Sequence, residues 1–371
     1  MLKWTVVALA AVAAFGFGRL PGEMRDFEVY WTAASRALQA EPLYRAADGH
    51  YQFKYLPAFA VLTAPAGLVP LGQAKAAWFV LSVALLMALL SLSVAALPLQ
   101  RRPSWLLVAV MVVAMGKFYG HELVLGQVNV LFAVIVTAAI LSVKRGHDAE
   151  GAVLLVAAVA VKPYAVLLLP WVALVGGRRA TFAAALGMAV LLAVPAALYG
   201  IRGAVELHHQ WWLTVTTSTA PNLTNNDNVS IAGLFAKWLG AGQPAALATL
   251  ALSACLLAVL AWAAWRRRYI RHPEVLEGVL LLTVIPLISP QGWDYVFLIA
   301  TPAVALFANY DDRLPPVLRW ITWAAVATIG LSLFDVMGRE RYAAFMSWSV
   351  ITLCFLVLVT ALATLRGRRI T

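Results

Sequence analysis

The chain is written as long runs of Ala, Leu and Val separated by short polar segments. Runs at 2–20, 73–97, 104–119, 127–143, 180–199, 243–265, 275–289, 293–309, 317–335 and 343–365 approach or reach the roughly 20 apolar residues that cross a bilayer as a helix. Two further runs behave differently. Residues 149–177, as one straight helix, would extend about 43 Å, too far for an untilted crossing of a roughly 30 Å hydrocarbon core. Lys162-Pro163 lies at its middle, and Pro163 lacks a donor and crowds the preceding turn. Two short helices meeting at that junction are expected. Run 55–71 contains Pro57, Pro65 and Pro70 and reads as a short or re-entrant element. Residues 27–39, with Val29, Ala33 and Leu38 apolar among polar positions, suit a helix lying on the membrane interface.

Composition supports the same reading. Of 371 residues, 63% are hydrophobic and only 12% charged, too few charges to cover the apolar surface of a soluble domain. A β-barrel would show short alternating segments instead. The expected fold is an all-α polytopic membrane protein with about 10–12 crossings, short broken helices included, forming one integral membrane domain over 1–371. The formal charge of +11 does not imply nucleic acid, because Lys and Arg gather at the ends of apolar runs, the positive-inside pattern. That pattern puts Arg101-Arg102, Lys144-Arg145, Arg178-Arg179, Arg266-Arg267-Arg268, Arg313 and Arg368-Arg369 inside, and 21–72, 120–126, 162–163, 200–242, 290–292 and 336–342 outside. Ala11-Val12-Ala13 resembles a cleavage site, but apolar residues continue to Leu20, so an uncleaved anchor is expected. Cys255 and Cys354 sit inside apolar runs, and neither a disulfide nor a metal site is expected.

The unusual polar residues fall in five segments on the expected outer side. Asp26 opens the first, where it suits a helix N-cap but leaves Tyr30 unexplained; Lys54 and Tyr55 follow in the same segment. The second, GHELVLGQVNV, carries His121, Glu122, Gln127 and Asn129, and its simplest reading is a polar loop that begins a helix. The third is Lys162 in VKPY: a lysine inside an apolar run is costly and marks a functional candidate, with snorkelling the alternative. The fourth runs from His208-His209 and Trp211-Trp212 to Asn225, Asn226, Asp227, Asn228 and Ser230. Paired tryptophans serve as interfacial anchors, the histidines lack metal spacing, and the amide cluster is partly capping chemistry and suits a hydroxyl-rich ligand. The fifth, LISPQGWDYVFL, holds Gln291, Trp293, Asp294 and Tyr295, with Asp294 also explicable as a first-turn helix acid.

Taken in order, DFEVYWTAASRAL, EPLY, FKYLPAFAVLTAP, GQVNV, VKPY, NDNVSIAGL and ISPQGWDY resemble glycosyltransferase family 87, of the glycosyltransferase C superfamily, over nearly the whole chain. The resemblance implies glycosyltransferase C-type architecture in a cell inner (plasma) membrane. It implies an enzyme that takes a sugar from a polyprenyl-phosphate donor at the outer face and passes it to a glycolipid or glycan acceptor. Mannose is the expected sugar and arabinofuranose the alternative. The family's catalytic acid falls on Asp26. Mannosyltransferases of the family carry histidine in the motif that here reads SPQGWDY, so a histidine role there does not transfer.

Catalytic segments are expected at 21–72 and 200–242. A phosphate leaving group departs without a proton if its charge is met by a poorly solvated cation. Lys162 is the first candidate, Lys54 the second and Arg25 the third. A carboxylate within reach of the acceptor hydroxyl acts as general base, a role for Asp26 in an inverting displacement. Tyr30, Tyr55, Gln127, Asn129, Asn226, Asp227, Gln291 and Asp294 are expected to hold sugar or acceptor hydroxyls. No cofactor or metal is expected, since a lysine neutralises a single phosphate. The rival readings are a secondary transporter, which broken helices and a membrane lysine also suit, a lipid flippase, and a ligase of lipid-linked oligosaccharides.

Overall fold

The computed structural model describes residue 16, residues 22–265 and residues 272–367. Apart from Gly16, the expected first span 2–20 lies outside the described residues, as do Arg266-Arg267-Arg268 and Arg368-Arg369. In chain order the helices are α1 Arg25–Leu38, α2 Pro57–Leu62, α3 Leu71–Ala95, α4 Ser104–Leu125, α5 Asn129–Lys144, α6 Asp148–Val161, α7 Leu169–Ala193, α8 Ala196–Thr219, α9 Ile231–Leu239, α10 Gln243–Trp265, α11 Pro273–Ile288, α12 Thr301–Tyr310, α13 Pro316–Leu331, α14 Phe334–Met337, α15 Arg339–Ser347 and α16 Val350–Gly367. Among the described residues no strand forms, and one isolated bridge joins Asn228 to Trp293. The protein is an all-α polytopic membrane protein.

Among the described residues, four helices are long and apolar enough to cross a bilayer: Leu71–Ala95, Ser104–Leu125, Pro163–Ala193 and Gln243–Trp265. The pair Arg339–Ser347 and Val350–Arg366, bent by 52°, adds a fifth if taken as one span. These are the long helices; the 10–12 crossings expected include short and broken ones, and Asn129–Lys144 and Pro316–Leu331 are apolar helices of the shorter kind. Backbone breakers set several of the ends. Ser349 adopts a left-handed φ of 52° between α15 and α16. Pro302 starts α12 after a 3₁₀ segment, Asp294–Ala300, so the expected span 293–309 is divided. The expected span 104–119 instead continues to Leu125 and stops only where Gly126 turns left-handed. The expected outer segment 200–242 contains most of α8, which is bent at Gly200, and all of α9.

The break at Lys162-Pro163 is present: α6 ends at Val161, and Pro163–Leu168 forms a 3₁₀ turn before α7. Within α7, Gly177 (φ 61°, ψ −150°) makes a second break. Gly176 lies against Asp148 at the start of α6, whereas Gly187 lies against Val156 further along it. The two arms of α7 therefore run in opposite senses along α6. Large apolar side chains such as Val113, Leu174, Phe182 and Leu250 remain exposed on these helices, which lipid tolerates and water does not.

Polar groups sort to the two ends of α4. At its Ser104 end, Arg101 makes a two-pronged ion pair with Asp312 at 2.6 and 2.8 Å. Arg102 meets Asp311 at 3.1 Å, Asn309 accepts the Arg101 amide, and Lys144 donates to the carbonyl of Ala95. The expected inner markers thus converge. At the Leu125 end, the polar segments around Asp26, Gln127, Lys162, Asp227 and Asp294 converge in the same way.

Candidate functional site

Helix α1 is held on the bundle by polar contacts at its start. Met24 takes a left-handed conformation (φ 64°) in the N-cap position and offers no side-chain cap, while its amide donates to Val124 O at 2.8 Å. Asp26 is inside the first turn, not at the cap, which leaves its carboxylate available. Lys75 of α3, buried, donates to Glu28 at 2.6 Å and to the Glu23 carbonyl at 2.7 Å. Burial raises the Glu28 carboxyl, but Lys75 and Arg25 outweigh it and hold the group below its ordinary value. The inward face is Phe27, Tyr30, Ala33, Ala34 and Ala37. It packs against the 3₁₀ segment Ala64–Leu68, where Gly67 approaches so closely that a Cβ would lie 2.8 Å from Ser35 N. The helix expected to lie on the interface packs on the bundle through Phe27, Tyr30 and Ala33; of Val29, Ala33 and Leu38 it buries Ala33 and leaves Leu38 exposed.

From α1 a chain of hydrogen bonds crosses four elements. Gln127 Nε2 donates to Asp26 Oδ2 at 2.6 Å. Gln127 Oε1 accepts from Tyr30 at 2.8 Å. The Tyr30 and Tyr55 hydroxyls are 2.7 Å apart, and Lys162 Nζ donates to Tyr55 at 3.0 Å. One set of directions satisfies every contact, with each donor pointing from the Lys162 cation toward the Asp26 anion. Such chains polarise one another in the same sense. Lys162 is therefore turned into the cluster and does not snorkel away from it. Gln127 is aimed by Gly126, whose left-handed φ of 68° ends α4 and whose carbonyl accepts Trp78 Nε1 at 3.0 Å.

Behind this chain sits Glu122, 2% exposed. Its two oxygens accept Asn129 Nδ2 at 2.9 Å and the Val130 amide at 2.8 Å, so a side chain of α4 caps the start of α5. Asn129 is fully buried; its Nδ2 donates to Glu122, while its Oδ1 is enclosed with no hydrogen-bond partner. Lys54 is half-buried, and among the described residues its ammonium has no hydrogen-bond or ion-pair partner. Burial lowers its pKa. Trp211 Nε1 donates to the Lys54 carbonyl at 3.2 Å, so this tryptophan fastens α8 to the segment before α2.

A second polar group lies around Asp294, which is 5% exposed. Lys117 Nζ stands 3.5 Å from Oδ2 and His121 Nδ1 3.5 Å from Oδ1. Oδ2 is enclosed and makes no hydrogen bond. Lys117 donates instead to Ser332 Oγ and O, at 3.1 and 3.2 Å. The amide-rich loop is fixed to the same place. Asn228 Nδ2 donates to the carbonyls of Asn222 and Pro290, and Asn228 Oδ1 accepts the amides of Ser230 and Gly292. Ser230 caps α9 through the Gly233 amide. Asn226 and Asp227 are exposed beside this latch. Burial and then the Asp294 charge raise the Asp227 pKa. Lys237 donates to the Asn226 and Met346 carbonyls, and burial lowers its pKa to about 8. Gln291 donates to Ser218 O and Thr219 Oγ1, tying the Asp294 loop to α8.

The structure therefore joins Asp26, Tyr30, Tyr55, Gln127 and Lys162 directly, and groups Asp227 with Asp294 a short way off. Asn129 and Gln291 hold the scaffold. Tyr295 follows Asp294 directly at the start of the 3₁₀ segment Asp294–Ala300. Lys117, His121, Glu122 and Tyr295 are the residues the sequence reading left out of the site. His121 and Glu122 carry a signal in their HE pair at an apolar run's end; Lys117, alone in an apolar stretch like Lys162, carries the same one.

Beside Tyr30 an almost wholly apolar groove of ≈ 260 Å³ opens between α1, α2, α3 and α5, walled by Phe27, Trp31, Phe59, Leu62, Trp78 and Leu131. The family model described as Glycosyltransferase family 87 matches residues 53–290, more than half of the chain. The matched stretch includes Tyr55, Gln127, Lys162 and Asp227, begins after Asp26 and ends before Asp294. No curated protein and no solved structure gives a match.

Proposed function

The chain belongs to glycosyltransferase family 87 and is a membrane glycosyltransferase, and on that premise we propose that it moves a sugar from a polyprenyl-phosphate donor to a glycolipid or glycan acceptor at the outer membrane face. Mannose is the sugar favoured, with arabinofuranose the alternative. The observation that supports the reading is the hydrogen-bonded chain with a lysine at one end and a carboxylate at the other.

Asp26 takes the proton of the acceptor hydroxyl as its oxygen attacks the anomeric carbon. The bond from that carbon to the phosphate oxygen breaks with inversion, and the electron pair leaves on the phosphate. Lys162 meets the growing negative charge, with Lys54, next to Tyr55 in the chain, the second candidate for that role. Gln127 and the two tyrosines hold Asp26 in one orientation, so little reorganisation is needed at the moment of transfer. The apolar groove of ≈ 260 Å³ is lined by Tyr30, one helical turn along α1 from Asp26, and would receive part of a prenyl chain from the bilayer.

The test offers purified protein in nanodiscs radiolabelled polyprenyl-phosphate-mannose, and separately the arabinose equivalent, with membrane lipid extract as acceptor. Label is expected in a new lipid or glycan with the wild type. Asp26→Asn is expected to lower the rate by about 10²-fold or more, the contribution of a general base, at unchanged folded yield. Wild-type turnover by Asp26→Asn refutes the assignment of the base.

A further inference from the structure

Trp78, on α3, touches both halves of the pair that holds the carboxylate. Its ring stacks on Phe27 with centroids 5.7 Å apart and planes at 19°. Its Nε1 donates to the Gly126 carbonyl at 3.0 Å. Phe27 follows Asp26 in the chain and Gly126 precedes Gln127, so one indole rests on the neighbours of both partners in the 2.6 Å hydrogen bond. Gly126 and Phe27 also meet each other, since a Cβ on Gly126 would lie 2.8 Å from Phe27 Cβ. Lys75, one turn earlier on α3, pins the start of α1 through Glu28 and the Glu23 carbonyl. Helix α3 thus grips α1 by a charge and by a ring.

The indole has a third neighbour, the apolar groove, which Phe27, Tyr30, Phe59 and Trp78 all line. Tyr55, the acceptor of Lys162, packs on Tyr30 at 4.9 Å and on Phe59 at 5.2 Å between ring centroids. A donor whose phosphate meets Lys162 would have these walls within reach of its first prenyl units. Trp78 is half-buried and carries no charge, so it neither takes the proton nor neutralises the phosphate. What it can do is report whether the groove is filled. A chain packed against the indole narrows its range of positions, and the indole is bonded to the turn that aims Gln127. Binding energy from a part of the substrate remote from the reacting bond is then used to order the reacting groups.

We infer that Trp78 is a positioning residue: with the donor's prenyl chain in the groove, it holds Gly126 and Phe27 so that Gln127 and Asp26 stay aligned for transfer. This rests on the transferase reading above and adds that the lipid tail of the donor raises turnover as well as affinity.

The test compares two donors, farnesyl-phosphate-mannose and the shorter dimethylallyl-phosphate-mannose, with membrane lipid extract as acceptor, and repeats both with arabinofuranose. The wild type is expected to show a kcat about tenfold higher with the farnesyl donor, as truncated substrates lose turnover and not only affinity. Trp78→Phe keeps a ring against Phe27 and loses the N–H to Gly126. Its kcat is expected to fall about tenfold with the farnesyl donor, the scale of one hydrogen bond, and little with the short one, so the ratio between donors approaches one. A purely structural role would lower both donors by the same factor, because it changes only how many molecules are active. A wild-type ratio retained in Trp78→Phe, or equal kcat for the two donors in the wild type, overturns the inference. A second readout needs no turnover. In protein labelled with 5-fluorotryptophan, the fluorine resonance absent from Trp78→Phe belongs to Trp78, and farnesyl phosphate is expected to shift it where dimethylallyl phosphate does not. Absence of that shift overturns the inference even if sugar moves. A shift with no transfer from any donor keeps the groove as a prenyl site, refutes the transferase reading and removes the positioning role with it.

Discussion

Replacing Gly126 by alanine tests whether the turn after α4 sets the site. Gly126 has φ +68°, where a Cβ costs about 1–2 kcal/mol. The added atom would lie 2.8 Å from Phe27 Cβ, 2.9 Å from Met24 Cε and 3.0 Å from Met24 Cβ. The Met24 methyl can swing aside. The two Cβ atoms are fixed to the backbone of α1 and its cap, so α1 itself must retreat, and overpacking of this kind costs about 1–3 kcal/mol. Together the terms give about 2–5 kcal/mol. The retreat acts on the 2.6 Å bond between Gln127 and Asp26, and misplacement by about 1 Å costs on the order of 10²-fold in rate. The control is Gly120→Ala, within α4, where the added Cβ meets nothing within 4 Å beyond its chain neighbours and the helix's own backbone, expected to gain about 0.5–1 kcal/mol. Melting of both variants in detergent, followed by sugar transfer, should place Gly126→Ala well below and Gly120→Ala at or above the wild type. Indistinguishable melting of the two variants refutes the reasoning.

Two further outcomes follow from the same geometry. Lys162→Ala and Lys54→Ala should each raise the donor KM, and unchanged donor kinetics would exclude the lysine concerned from the phosphate site. Glu28 is held below its ordinary value of 4.5, so its pairing with Lys75 contributes stability that is complete above that pH and lost as pH falls through the folded-state pKa. Glu28→Gln should therefore flatten the decline in melting temperature between about pH 5 and pH 3, and a decline parallel to the wild type would count against the ion pair.

Helical class and the break at Lys162-Pro163 were legible from apolar run length and from one proline. The ends and bends of the helices were not, because a run's hydropathy does not register a glycine that turns the chain, as Gly177 does, or a left-handed Ser349. Asp26, Gln127 and Lys162 stood out as polar residues at the ends of apolar runs, yet nothing local told that Gln127 binds Asp26 across 101 residues. Asn129 shows the limit in the other direction. Its residue type suits a sugar hydroxyl, but its neighbour in space is Glu122, seven residues back on another helix. Lys117 was passed over because its partners, Ser332 and Asp294, arrive from the far end of the sequence.

The long sequence separations in the hydrogen-bonded chain also order events during synthesis. Asp26 emerges with the first segments, while Gln127 follows 101 residues later, an interval of about 5–20 s at ordinary elongation rates. Lys162 comes later still, after Tyr55 has already been made. Throughout that interval the carboxylate has only water and headgroups to solvate it. The site is thus among the last features of this half of the protein to close, and a nascent chain halted before Gly126 would carry its acid with nothing to hold it in place.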